Sequence, residues 1–460
     1  MTAPGLPAFD PWAASLAWQQ TWFAALDPPG IGRMLRDERL ASLLDRATRD
    51  SPLYARRSRG ARRLEDLAPI GKAELMGAFD DWATDRRITL AGARAFLADP
   101  GHVADPWLGA YLVWTSSGTT GSPGIFVQDA ASLAAYDALE AQRLRGGPAT
   151  LFAPEAWAAG RRLAYVAALG GPYAGHVTLE RLARLAPPPW APRIEKISVL
   201  LPLAEIAGRL QSMQPDWLVT YPSCAVALAQ RQAAGDLRLR LAELWLGGEQ
   251  LGPSQARLLR EVFGCPVRNS YGASEAYSIA SSCGLGHLHL HADWVILEPV
   301  DVRRRPVPPG TLSDLALLTN LANVTQPLLR YELHDRVRLC TDPCSCGHAM
   351  PVIDVQGRSD DALVLPARAG GHVTVLPLAL ESVLEEEAGI ADFQVVVHPG
   401  GSLGLRLGPR AVPASAARRA RDALVACLEA HGASPVRVTL RREPPRRQAS
   451  SGKLRHVVAA

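Results

Sequence analysis

Apolar residues recur along this chain in two rhythms. In "RDERLASLLDRATRDSPLYARR" they return at helical spacing (Leu40, Leu43, Leu44), and Ser51-Pro52 predicts where that helix stops. "WLVTYP" and "AELWLGGE" are short apolar runs ended by turn residues, the pattern of buried parallel strands. "PSQARLLREVFG", between such runs, predicts a crossover helix that opens on Pro253 and closes on Gly264. Strands alternating with helices of this length imply a parallel sheet covered by helices.

Near residues 300–345 the texture changes. "DWVILEPVDV", "LSDLALLTNL" and "HDRVRLCTD" predict strands separated by turns. From about Gly357 onward, "VTVLPLALESVLEEEAG", "FQVVVHPG", "SAARRARDALVACLEAHG" and "PVRVTLRRE" predict a small α+β unit. Arginines on its last helix lie to one side of an apolar stripe, which marks a solvated face rather than an RNA contact. The expected fold class is α/β. A large N-terminal domain (1–357) would hold parallel sheets covered by helices plus a β-rich subdomain, and a small mobile α+β C-terminal domain would span 358–460.

Composition narrows the classes. A chain of 460 residues is too long for one ordinary core. Hydrophobic residues at 48% and charged residues at 20% suit a globular protein, and a net charge of +4 does not suggest a nucleic-acid binder. No apolar run approaches the ~18 residues of a membrane span. The start "MTAPGLPAFDPWAASLAWQQ" lacks the basic, then apolar, character of a signal peptide. Seven cysteines, an odd number, argue against a secreted disulfide framework. A cytoplasmic monomer or homodimer, without nucleic-acid or membrane partners, is the expectation.

Candidate chemistry starts at "VWTSSGTTGSPG" (113–124). Successive N–H groups of a Gly-rich turn converge on anions, hydroxyls add donors, and glycines let the backbone approach phosphate oxygens. The stretch is not a Walker-type loop, because no G-x-x-x-x-G-K-[ST] pattern is present. Other motifs follow in order: "LGGEQL", "NSYGASEAY" after the strand "PVR", "LLRYELHDRV", "QGRSDD" and "SSGKLR". This series, with "LEDLAPIGKAEL" and "SPLYARR", resembles the adenylate-forming superfamily of acyl-CoA synthetases, most closely its phenylacetate–CoA ligase-like branch, over roughly residues 35–455.

The resemblance implies an ATP site. Ser116, Ser117, Gly118, Thr119, Thr120 and Gly121 would close over the β- and γ-phosphates. Gly247, Gly248 and Glu249 would line the adenine pocket, with Tyr271, Gly272 and Ser274 beside it. Asp335 would accept hydrogen bonds from both ribose hydroxyls, and Arg358 would reach the ribose and phosphate edge. Glu275 would hold Mg²⁺, which favours one or two carboxylates plus phosphate oxygens. Lys453 would bridge the attacking carboxylate and the α-phosphate, offsetting the repulsion of two anions. Asp360 matches the hinge about which the small domain turns. Ser122 stands where many relatives carry lysine, so a positive charge near pyrophosphate must come from elsewhere.

A second cluster is independent of ATP. Cys283 and His289 lie in "SSCGLGHLHLH", and Cys344 and Cys346 in "CTDPCSCGH". Three thiols and an imidazole suit a structural, tetrahedral Zn²⁺, with Cys340, His287, His291 and His348 nearby as substitutes. In the segments where relatives build the acyl pocket, Gly170, Gly171, Tyr173 and His176 would shape a flat slot. Tyr221 would stack on a ring there, and Ala273 would adjoin it. An aromatic carboxylic acid is the expected substrate, activated with ATP and transferred to coenzyme A. The alternatives are an adenylating enzyme that serves an amine or a carrier-protein pantetheine thiol, and a binding protein on the same fold. The last is disfavoured by the joint presence of Glu275, Asp335 and Lys453.

Overall fold

The computed structural model describes residues 8–59, 63–116, 123–144, 162–185, 193–356, 363–375, 377–390, 393–399, 401–408, 412–441, 443–446 and 456–459. The helix Arg33–Asp50 ends where the Ser-Pro pair predicts. Pro52 also opens a second helix, Pro52–Arg57, with the Ser51 hydroxyl capping the Tyr54 N–H. A proline that cannot continue one helix is well suited to the first turn of the next.

A hairpin of β1 (Leu112–Thr115) and β2 (Ile125–Gln128) precedes the main sheet. β3 (Arg162–Ala167), β4 (Arg193–Ser198), β5 (Trp217–Thr220), β6 (Glu243–Leu246) and β7 (Val267–Tyr271) then pair in parallel. Ala164, Val166, Leu218 and Leu244 from these strands share one buried core with Ile206, Leu210, Leu228 and Leu259 from helices. Those helices are Leu203–Met213, Pro222–Ala233 and Pro253–Phe263. The last begins on its proline and is closed by Gly264 at φ +63°, a left-handed cap that favours glycine.

β8 (Ala280–Ser282) and β9 (Leu288–Leu290) extend the sheet in antiparallel fashion. The chain then leaves for a three-stranded antiparallel sheet of β10 (Val295–Val300), β11 (Leu315–Asn320) and β12 (Leu328–Leu333). It returns as β13 (Arg336–Leu339) and β14 (Val352–Gln356), completing one nine-stranded sheet ordered β13-β14-β9-β8-β7-β6-β5-β3-β4. The expected mixed α/β class, with parallel strands under helices and an adjoining β-rich part, is what the chain adopts.

Residues from 363 onward close a core of their own. β15 (Leu363–Pro366) pairs with β16 (His372–Val375), and β17 (Phe393–Val397), β18 (Leu403–Leu407), β19 (Val438–Arg441) and β20 (Val457–Ala459) form a four-stranded sheet. Leu380 and Leu424, from the helices Pro377–Ala388 and Ala414–Ala430, pack with Phe393 and Val457. Among the described residues, no helix is long and apolar enough to cross a membrane.

Candidate active site

In a parallel α/β sheet, ligands collect at the carboxyl ends of the strands, where the loops and helix N-termini converge. Four of the sequence-nominated segments lie there: 168–173 after β3, Tyr221 after β5, 247–249 after β6 and 272–277 after β7. β7 itself runs through Tyr271, so this tyrosine belongs to the strand "PVR" rather than to the loop behind it.

The neck of the Ser/Thr/Gly loop is closed by two hydrogen bonds. The Ser116 N–H donates to the Gly124 carbonyl (2.9 Å), and the Gly124 N–H donates to Ser116 Oγ (2.8 Å). A Cβ at Gly124 would come 3.3 Å from the Lys72 side chain, so a lysine flanks this neck. It lies in "LEDLAPIGKAEL", far from the loop in sequence. The hairpin is tied to its neighbours by Trp114 Nε1–H to the Ser274 carbonyl (2.8 Å) and Thr115 N–H to the Pro172 carbonyl (2.8 Å). Ser117, Gly118, Thr119, Thr120, Gly121 and Ser122 lie outside the described residues, as do Arg358, Asp360 and Lys453.

The loop after β7 is fixed by its glycine. A Cβ at Gly272 would sit 2.0 Å from the Tyr277 carbonyl oxygen, a distance no side chain tolerates. The Ala273 N–H bonds the Ala276 carbonyl (2.9 Å), tightening the turn that presents Ser274 and Glu275. Glu275 is gripped twice: Tyr331 Oη–H donates to its Oε1 (2.7 Å), and Asn320 Nδ2–H donates to its backbone carbonyl (3.1 Å). Tyr271 Oη–H donates to Asp335 Oδ2 at 2.9 Å. Burial, reinforced by the adjoining carboxylate, raises both phenols well above the ordinary tyrosine range, so each remains a donor at neutral pH.

Tyr331 reaches Glu275 because β12 is irregular. The register between β11 and β12 shifts between Leu318 and Asn320, and Arg330 adopts φ +53°. Bulges re-aim side chains near functional sites, and a non-glycine residue in this region stores strain that its surroundings must hold. Here the Arg330 guanidinium bonds Glu298 Oε1 (3.0 Å) and the carbonyls of Glu65 (2.9 Å) and Leu67 (2.7 Å). Tyr331 and Asn320 were not nominated from sequence. The only sequence signal for Tyr331 is its place four residues before Asp335.

Gly247 and Gly248 are both held close to other groups. A Cβ at Gly247 would lie 2.8 Å from Ser270 Oγ, and one at Gly248, which has φ +79°, would lie 2.8 Å from the Tyr221 ring. Glu249 turns to the helix beginning at Pro222, accepting from the Ser223 N–H (2.8 Å) and Ser223 Oγ–H (2.9 Å). A carboxylate is favourable at a helix N-terminus, so Glu249 braces the turn that carries Gly247 and Gly248.

Near the acyl segment, Gly170 has φ +89°, and a Cβ at Gly171 would strike the Tyr173 ring at 2.7 Å. The Tyr221 hydroxyl accepts from the Ala168 N–H (3.3 Å), and burial pushes this phenol up to about 12. His176 is buried in the first turn of the helix Ala174–Leu185. Its Nδ1 lies 3.0 Å from the Gly171 carbonyl and its Nε2 3.3 Å from Glu180. These contacts make it a brace for the glycine turn. Ala273 is half-buried on the β7 loop. Tyr165 and Tyr277 were also missed. Burial raises both phenols, and the Glu140 carboxylate, which they both face, raises them further.

The four nominated metal ligands converge. The ligand atoms of Cys283, His289, Cys344 and Cys346 all lie within 4.8 Å of one another. Two turns present them: Cys283 opens the β8–β9 turn, with Gly286 N–H to the Cys283 carbonyl, and Cys344 opens another, with Gly347 N–H to the Cys344 carbonyl. The β9–β14 pairing of His289 with Val352 brings the two turns together. Cys283 Sγ and Cys344 Sγ are 4.0 Å apart, too far for a disulfide. That separation is close to the S···S edge of about 3.8 Å for tetrahedral zinc with Zn–S near 2.3 Å. The His289 Nδ1–H donates to the Met350 carbonyl at 2.9 Å, leaving Nε2 as the free lone pair, 3.4 Å from Cys346 Sγ. This is the outer-shell arrangement of a metal-ligating imidazole. Burial alone would raise the Cys283 thiol. Backbone N–H groups and the neighbouring thiols outweigh burial and hold it below the ordinary cysteine value, while burial, then the adjoining Cys344 and Cys283 thiols, push Cys346 up to about 11.

Glycine turns thus follow the parallel strands of an α/β sheet, and two carboxylates, Glu275 and Asp335, are held by tyrosines near them. A profile of the family described as AMP-binding enzyme matches residues 21–309, more than half of the sequence, and the chain belongs to that family. Its fold is shared with 2-hydroxyisobutyryl-CoA ligase. The structure of that enzyme with 2-HIB-AMP and CoA in the thioesterification state matches with TM-score 0.55 and 21% identity, over 92% of this chain and 90% of that one. Its open conformation gives TM-score 0.51 and 20% identity, covering 93% and 91%. Its postadenylation state gives 0.52 and 20%, covering 94% and 90%. No curated protein matches the sequence at a significant level.

Proposed function

We propose that this enzyme activates a carboxylic acid with ATP and transfers the acyl group to coenzyme A. The observation that carries this reading is the pair of tyrosine-held carboxylates, Glu275 and Asp335, in a chain of the AMP-binding enzyme family. A carboxylate oxygen of the acid attacks the α-phosphorus, and the bond to pyrophosphate breaks. The CoA sulfur then attacks the acyl carbon, its proton is lost, and AMP leaves.

In this reading Asp335, fixed by Tyr271, accepts from the ribose hydroxyls. Glu275, fixed by Tyr331, is the residue that holds Mg²⁺, whose charge screens the phosphates when bound. Gly247, Gly248 and Gly272, which pack against Ser270, Tyr221 and the Tyr277 carbonyl, shape the turns beside the adenine and the adenylate. The loop from Ser116 to Gly121 covers the outer phosphates, Arg358 meets the ribose edge, and Lys453 neutralises the reacting oxygens from a C-terminal domain (358–460) that turns at Asp360. Cys283, His289, Cys344 and Cys346 suit a structural zinc, with no ligand position left for a reacting water.

The acid we propose is aromatic. Support comes from the Tyr173 and Tyr221 rings, which lie against the backbone of Gly171 and Gly248 in the turns after β3 and β6. The structurally similar ligase acts instead on a small 2-hydroxy acid. The test is mass spectrometry of products formed from ATP with a panel of benzoates and phenylacetates and with 2-hydroxyisobutyrate, each with CoA, with an amine or alone. Aryl-CoA supports the reading. Amide or unreleased aryl-adenylate would place the acceptor elsewhere, and turnover of the 2-hydroxy acid alone would replace the aromatic assignment.

A further inference from the structure

The first helix, Pro11–Leu26, is apolar on both sides. Its inner face, Ala17, Thr21 and Ala24, is buried. Trp294 Nε1–H donates to Thr21 Oγ1 (2.9 Å) and Gln142 Nε2–H donates to the Trp18 carbonyl (2.8 Å), so this face is fully occupied by the body of the enzyme. The outer face is different. Trp12 is 84% exposed, Leu16 56%, Phe23 50% and Leu26 65%. Phe9, Trp22 and Met34 flank them and are exposed as well. A helix that is apolar all round is normally covered on every side.

Seven large apolar side chains, three of them Trp or Phe on the helix itself, make a patch of the order of the ~800 Å² that each partner contributes to a stable dimer. The largest patch of a typical monomer is about 300–600 Å². The spacing of the outer residues is informative. Positions 12, 16, 19, 23 and 26 follow the alternating four-and-three pattern of a helix seam that packs on a second helix. Gln19 is the one polar member, and it lies at the centre. In an antiparallel two-fold pairing Trp12 meets Leu26, Leu16 meets Phe23 and Gln19 meets Gln19, so the stripe is complementary to itself, as an isologous interface requires. No Lys or Arg occurs between Pro11 and Gly32, whereas a helix that lies on a membrane surface is rich in them.

We propose that a second copy of this chain covers the outer face of Pro11–Leu26, giving a two-fold homodimer with an antiparallel helix pair centred on Gln19.

Sedimentation velocity on the full chain at micromolar concentration tests this. The wild type is expected at twice the 49.3 kDa chain mass. Leu16→Glu with Phe23→Glu is expected to halve the mass while circular dichroism and the melting transition stay those of a folded protein. A second readout fixes the geometry: Gln19→Cys is expected to form an intermolecular disulfide under mild oxidation, and Trp12→Cys is not. A monomeric wild type, a charged double variant that remains dimeric, or crosslinking through Trp12→Cys in place of Gln19→Cys would each overturn the proposal.

Discussion

Tyr331 Oη and Glu275 Oε1, from residues 56 positions apart in sequence, share a 2.7 Å hydrogen bond. It aims a carboxylate that would otherwise be free to rotate. A hydrogen bond to a charged group contributes about 1.5–3 kcal/mol. Tyr331→Phe is therefore expected to raise the Mg²⁺ concentration for half-maximal pyrophosphate release by about tenfold or more. The folded structure should persist, since the ring remains. A magnesium titration of the variant checks this, and an unchanged requirement would mean that Tyr331 does not position Glu275.

In the proposed function Asp335, which accepts a hydrogen bond from Tyr271, serves the ribose. Asp335→Ala is expected to raise the KM for ATP by about one to two powers of ten, the effect of losing hydrogen bonds to a charged acceptor. Wild type should discriminate against 2′-deoxy-ATP, and the variant should discriminate much less, because the group that reads the hydroxyl is gone. Equal discrimination by both enzymes would remove Asp335 from the ribose site.

How much of this was legible in the sequence depends on the range of the interaction. Pro253 and Gly264 mark their helix locally, and Gly272 marks its turn because only glycine fits beneath the Tyr277 carbonyl. The Cys/His quartet was legible because ligand chemistry restricts the choice of residues, although the β9–β14 pairing that unites it is a long-range fact. Tyr331, Asn320 and Lys72 were not legible. Their roles depend on a bulge in β12, on a neighbouring strand and on a helix approaching a hairpin neck, none of which leaves a periodic signal. His176 carried a chemically versatile side chain into the sequence reading, and its contacts with the Gly171 carbonyl and Glu180 show it bracing a turn.

Zinc at the quartet has its own signature. The purified chain is expected to carry one zinc, and Cys344→Ser or a strong chelator should remove it and lower the melting temperature by several degrees or more, since structural zinc contributes directly to folding. Elemental analysis with differential scanning calorimetry checks both parts. Metal-free wild type with an unchanged melting temperature would show that the quartet is a set of reduced thiols only.

Alkaline pH should destabilise this protein steeply. Burial is the chief cause that raises the phenols of Tyr54, Tyr111, Tyr136, Tyr165, Tyr221, Tyr271, Tyr277 and Tyr331, with Tyr111, Tyr136 and Tyr221 pushed up to about 12. Unfolded tyrosine ionises near 10. Above that pH the folded form binds more protons than the unfolded one, so stability is intact below about 10 and is lost as pH rises toward 12. Tyrosinate absorbance should stay low in the native protein and appear together with unfolding. A smooth titration centred near 10 without unfolding would contradict the burial of these phenols.

Acid-dependent exchange of labelled pyrophosphate into ATP is the most direct measurement, because it reports adenylate formation before any acceptor is involved. Wild type should exchange only when a carboxylic acid of the right shape is present. Lys453→Ala should lose exchange by orders of magnitude while still binding ATP, and Glu275→Gln should lose it together with magnesium dependence. Absence of acid-dependent exchange in the wild type, across aryl and 2-hydroxy acids with magnesium and ATP supplied, would contradict acid activation altogether.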